Sequence, residues 1–96
     1  VSSYKISQRA DEDILSIARY TIATFGAQQA EIYHAGLHKT FDFLASNPAA
    51  ARERTEIDPP VRAHRYQSHL VVYEIAENGD VLILRVPHAK TDWLND

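Results

Sequence analysis

Apolar positions between residues 8 and 46 recur every three or four residues, whereas those after residue 60 gather in short, β-rich runs. The chain therefore divides into a helical first half and a strand-forming second half. Ala10, Ile14, Ile17 with Ala18, Ile22 and Phe25 form one stripe and predict an amphipathic helix over residues 8–25. Ser7 offers a side-chain oxygen as its N-cap, and Asp11, Glu12 and Asp13 lie near the positive end of the helix dipole. Gly26 stops the helix. A second stripe, Ala30, Tyr33, Leu37, Phe41 and Leu44, predicts a helix over residues 27–46 that Asn47-Pro48 ends. So short a connection predicts an antiparallel helical hairpin. Gly36 inside the second helix costs about 1 kcal/mol against alanine, which implies that another group approaches closely there.

Ahead of the helices, Tyr4-Lys5-Ile6 alternates and predicts a short strand. Residues 48–60 lack periodicity, finish in Pro59-Pro60 and read as a loop. Strands are predicted at 61–66, 69–76 and 81–86, the last two joined through Asn78-Gly79, a strong hairpin signal. With Asn78 and Gly79 as the two central turn residues, Ile75 faces Leu82, Tyr73 faces Leu84, and Val71 faces Val86. That face is wholly apolar, so Ile75, Leu82, Tyr73 and Leu84 are expected beneath Ile14, Ile17, Leu37 and Phe41. The opposite face pairs Ala76 with Val81, Glu74 with Ile83 and Val72 with Arg85, with Glu74 diagonal to Arg85. Such a mixed face calls for a cover, either a partner or the tail from Pro87 to Asp96. The fold class is α+β, in the order β-α-α-β-β-β, with the helical hairpin on one face of a small, mainly antiparallel sheet.

Composition narrows the function classes. Ninety-six residues make one domain (1–96), which buries only roughly 60–65% of its unfolded surface, so a partner can add usefully to its stability. The absence of cysteine removes disulfides, thiolate metal sites and a cysteine nucleophile, and fits a reducing compartment. No run of signal-peptide or membrane-spanning character is present, which makes the cytoplasm the expected location. Ten Lys/Arg against thirteen Asp/Glu give a net charge of −3. The second-half arginines 52, 54, 62, 65 and 85 are interleaved with Glu53, Glu56, Asp58 and Glu74, so a nucleic-acid ligand is disfavoured.

Three constellations carry possible chemistry. Arg65 and Arg85 near His88 have the groups to grip a phosphate while an imidazole moves a proton; against this, Glu74 neutralises Arg85 in the predicted register. His34, His38 and Asp42, with Glu31 beside them, have the spacing of helical zinc ligands but flank the apolar stripe, and read as a solvated surface with no metal. Three scattered glycines, 26, 36 and 79, make no phosphate loop, and no serine stands in a nucleophile elbow. Trp93 either anchors an interface or packs the tail on the sheet.

The order of residues also resembles a known family. Tyr4-Lys5-Ile6-Ser7, Ala10, Asp13-Ile14, Ile17, Tyr20, Phe25-Gly26, Gln29-Ala30 and Tyr33 are similar to the opening of ParE-type toxins. Leu44-Ala45-Ser46-Asn47-Pro48, Arg62, His69–Tyr73 and Ile83-Leu84-Arg85-Val86-Pro87-His88 with Asp92 continue the match over nearly the whole chain. Pro87 stands where a leucine is common, and Pro59-Pro60 where a glycine often precedes the arginine. The resemblance implies the ParE/RelE fold and a bacterial type II toxin–antitoxin pair. It implies a toxin that binds and poisons DNA gyrase, has no catalytic residues, metal or cofactor, and meets operator DNA only through a ParD-like antitoxin. Arg65, Arg85, His88, Lys90 and Trp93 are then the target-binding candidates. The antitoxin is expected on the apolar groove between helical hairpin and sheet edge, its acidic residues meeting Arg52, Arg54 or Arg62. The alternative implied by the same superfamily is a RelE-type, ribosome-dependent mRNA endonuclease using Arg65, Arg85 and His88. The acidic chain, and a tail without the tyrosine such nucleases often carry, favour the ParE branch.

Overall fold

The computed structural model describes residues 3–95. Its elements are β1 (Tyr4–Ile6), α1 (Gln8–Phe25), α2 (Ala27–Ser46), β2 (Glu53–Arg54), β3 (Val61–Tyr66), β4 (His69–Ile75) and β5 (Val81–Arg85). Short 3₁₀ turns occupy Pro48–Ala50 and Trp93–Asn95. The expected β-α-α-β-β-β order holds, with two-residue β2 added inside the segment read as a loop. The sheet runs β1-β5-β4-β3-β2. β1 lies parallel to β5 and every other pair is antiparallel.

Local chemistry sets these boundaries. The Ser7 hydroxyl accepts from the Ala10 amide at 3.0 Å and donates to the Leu84 carbonyl at 2.9 Å, so the α1 cap also ties the helix to β5. Gly26, at φ 93°, ends α1 and begins α2 in one residue. Its amide bonds the Ile22 carbonyl and its carbonyl accepts from Ala30, a turn that a side chain would strain. The close approach expected at Gly36 is present: a Cβ there would lie 2.1 Å from the Tyr66 hydroxyl.

The core joins Leu37, Phe41 and Leu44 of α2 to Val71, Tyr73, Val81, Ile83 and Val86, with Ala10 and Ile14 closing it from α1. Tyr73 is fully buried, and its hydroxyl donates to the Pro48 carbonyl at 2.6 Å. Burying that phenol without a partner would cost on the order of 1–3 kcal/mol. Val61 and Val72 are buried outside this cluster.

Two expectations are corrected. The β4–β5 turn is a three-residue loop: Gly79 N–H bonds the Ala76 carbonyl and Ala76 N–H bonds the Asp80 carbonyl. Gly79 takes φ 91° as the bulge residue after a type I turn. Tyr73 therefore faces Ile83 and Ile75 faces Val81, one residue off the expected register, until a bulge at Leu84 restores the pairing of Val72 with Arg85. Of the four residues expected beneath the helices only Tyr73 is buried; Ile75 is 40% exposed, and Leu82 and Leu84 are half-buried. The second correction concerns α1. Its buried stripe runs Ala10, Ile14, Thr21, while Ile22 and Phe25 are exposed. Thr21 continues the three-to-four spacing and hides its polarity by donating to the Ile17 carbonyl at 2.7 Å, which leaves Ile22 a further 100° round the helix.

Candidate functional site

β1 ends at Ile6, so β5 continues past Ile83 without a neighbour on that side. The polar groups freed there are taken up by α1. The Ser7 amide bonds the Ile83 carbonyl at 2.9 Å, and Asp13 Oδ2 accepts from both the Val86 amide and Arg85 Nε, each at 2.9 Å. Both ion-pair side chains are under a fifth exposed. The expected Glu74–Arg85 pair does not form, because the bulge at Leu84 turns Arg85 toward α1 while Glu74 faces Leu82.

Asp13 and Arg85 close one end of a groove of about 860 Å³. Ile17, Tyr20 and Phe25 make its apolar side, and Tyr33 rises from α2. Ser68 and His69 come from the start of β4, and Val86, Pro87, His88 and Thr91 from the segment after β5. Tyr20 and Phe25 are 65% and 64% exposed. His69 meets Tyr33 Oη through Nδ1 at 2.6 Å. Its ring also stands edge-on to His88, with centroids 5.3 Å apart. Burial lowers the His69 pKa and neighbouring His88 lowers it further, against a weaker pull from Asp13. Burial is also the main cause raising the Tyr33 pKa. Both shifts favour a neutral pair in which the phenol donates to the imidazole.

The structure brings two target-binding candidates together, Arg85 and His88, on this groove. Arg65 lies on the opposite face, since β3 places Arg62 opposite Tyr73 on the helix side and alternation turns Arg65 away. It is exposed, with Nε donating to the Gln67 carbonyl at 2.9 Å. Lys90 is exposed and Trp93 half-buried in the tail. The antitoxin candidates stand across the sheet. Arg52 pairs with Glu56 on the surface, Arg54 lies in β2, and Arg62 Nη1 donates to the Ala51 carbonyl. His34 and His38 touch, with ring centroids 4.4 Å apart. Burial, then His34, lowers the His38 pKa, and Tyr4 Oη lies 3.2 Å from its Nδ1. Among the described residues no group of three or more metal-ligating side chains occurs, and no helix is long and apolar enough to cross a membrane. Sequence reasoning missed Asp13, Tyr33 and His69 as site residues; the first two carried only helix signals and the third only a strand signal.

The sequence profile described as ParE toxin of type II toxin-antitoxin system, parDE, matches residues 4–93. The chain belongs to the ParE toxin family. The protein named Toxin ParE1 from Mycobacterium tuberculosis is 32% identical over 91 residues, covering 95% of this chain and 93% of that one. Toxin ParE from Escherichia coli is 26% identical over 94 residues, covering 98% and 91%. A solved chain from the chromosomal ParDE system of P. aeruginosa superimposes with a TM-score of 0.76 at 20% identity, over 93% of this chain and 97% of that one. The two chains thus share a fold, and the matched span of the family includes every element from β1 to the start of the final turn.

Proposed function

We propose that this ParE-family chain is a gyrase-poisoning toxin that works by binding, and that a ParD-like antitoxin silences it by laying a segment in the groove between α1 and the end of β5. The observation that carries the antitoxin half is the groove itself: Tyr20 and Phe25 hold large aromatic surface in water beside a polar floor. Exposed apolar area of that kind marks partner sites, and a disordered segment that folds on binding recovers its ordering cost by covering it. Membership of a toxin–antitoxin family names the kind of partner, and the solved relative comes from a ParDE system. The far sheet face with Arg65, and the tail with Lys90 and Trp93, remain for the target.

The endonuclease alternative needs Arg65, Arg85 and His88 around one phosphate. Only the last two share the groove, and Arg85 is bonded to Asp13, a poor arrangement for clamping an anion. The reading adopted is therefore a toxin without covalent chemistry. Supercoiling and DNA-cleavage assays with purified gyrase test it. Cleaved complexes should accumulate with toxin and disappear when antitoxin is added, while ribosome-programmed mRNA stays intact. Gyrase left active at saturating toxin would end the gyrase reading, and cut mRNA abolished by His88→Ala would establish the alternative.

A further inference from the structure

The two ends of the groove differ in chemistry. Tyr20, Phe25 and Ile17 offer aromatic and aliphatic surface, whereas His69, His88 and Arg85 gather nitrogen donors where β4 begins and β5 ends. Among the described lining residues the carboxylate is Asp13, whose oxygens are already engaged by Arg85 and the Val86 amide. Positive charge gained by His69 is therefore set beside a carboxylate that is already committed.

From this juxtaposition we infer that the His69–His88 pair reads a carboxylate. A segment whose apolar side chains lie on the Tyr20–Phe25 wall sets an aspartate or glutamate against the two imidazoles. The inference rests on the antitoxin reading and adds the chemistry of its polar contact, moving that contact from Arg52, Arg54 and Arg62 to the opposite side of the sheet. Anchoring is apolar at one end of the groove and charge-assisted at the other, so the bound segment has a fixed direction.

Proton linkage follows. In the free toxin burial, and then His88, shift His69 toward its neutral form. A docked carboxylate favours the charged form, so docking takes up a proton. Other titratable groups surround the pair. Tyr33 of α2 and Tyr66 of β3, the cross-strand partner of His69, are both pushed upward by burial and stay neutral. Asp13 and Arg85 are bonded to each other, and Lys90 and Asp92 belong to the tail that carries His88.

The experiment is isothermal titration of the purified toxin with the ParD-like antitoxin encoded beside it, at pH 6 and pH 8, in buffers of differing ionisation enthalpy. A bound-state rise of one pKa unit from a free value below 6.5 makes binding about three- to fivefold tighter at pH 6 than at pH 8, with net proton uptake. The His69 imidazole resonance should titrate at higher pH in the complex than in free toxin. His88→Gln alters an exposed side chain, so the fold survives; it should weaken binding about fivefold at pH 6 and less than twofold at pH 8, on the same scale. Equal affinity at both pH values without proton uptake, or a His88→Gln variant that binds as wild type at pH 6, overturns the carboxylate contact and leaves the antitoxin reading standing. No binding at either pH overturns both.

Discussion

Asp13 and Arg85 are 72 residues apart in the chain and 2.9 Å apart in space. The same Asp13 oxygen accepts from the Val86 amide, so α1 supplies the acceptor that a longer β1 would have given β5. Asp13→Ala should cost about 2–3 kcal/mol, below the range for a fully buried pair because both side chains keep some solvent contact. Arg85→Ala should cost less, since the Val86 amide retains its partner. Urea denaturation of the two single variants and the double variant checks this. Equal losses in the two single variants would mean that the backbone bond contributes nothing.

Gly36 and Tyr66 are matched in the same strict way. The Tyr66 hydroxyl donates to the Tyr33 carbonyl at 3.0 Å and fills the place of a Cβ at residue 36. Gly36→Ala gains helix propensity worth about 1 kcal/mol but overpacks the interface, at a cost of about 1–3 kcal/mol. The expected result is a net loss of stability that shrinks in a Tyr66→Phe background, where the clashing oxygen is gone. A double-mutant cycle in urea should give a coupling of about 1 kcal/mol; additive effects would contradict the close approach.

These two contacts mark where sequence pattern stopped being informative. Ser7, Gly26, Leu37 and Phe41 were legible because caps and stripes are local and periodic. The hairpin at Asn78-Gly79 was legible as a hairpin, yet its register was not. Asn-Gly serves a two-residue turn or, as here, the end of a three-residue one whose Asn78 side chain also accepts from the Asp80 amide. The bulge at Leu84 then decided where Arg85 points, and no periodicity encodes a bulge. Arg85 and His88 were therefore named correctly as neighbours, while Asp13 passed as a helix-dipole residue and Arg65 was grouped with them across a sheet that separates them.

Histidine burial gives the fold its own pH dependence. The pKa values of His69 and His38 are both lowered in the folded state, by burial first. Near an unfolded value of about 6.5 the unfolded chain binds more protons, so stability is complete above that pH and falls on acidification toward the folded values. Urea midpoints should drop between pH 7.5 and 5.5, a window above most carboxylate titration. Gln at both positions should flatten the slope. An unchanged slope in the double variant would assign the effect to other groups.

The proposed division of surfaces can be tested by separating the two activities. Tyr20 and Phe25 are exposed on the groove side, so replacing both with alanine should leave the urea midpoint nearly unchanged. Losing two aromatic anchors should weaken antitoxin binding by about 2–4 kcal/mol, roughly 30-fold to 1000-fold. Poisoning of gyrase should survive in that variant and become resistant to antitoxin. Arg65→Glu on the opposite face should do the reverse, keeping antitoxin affinity and losing gyrase cleavage. The two variants therefore predict opposite quadrants of a plot of antitoxin Kd against gyrase cleavage. If Tyr20→Ala with Phe25→Ala abolished cleavage while antitoxin still bound at wild-type affinity, the surfaces would be exchanged, and the groove would be the face that meets the target.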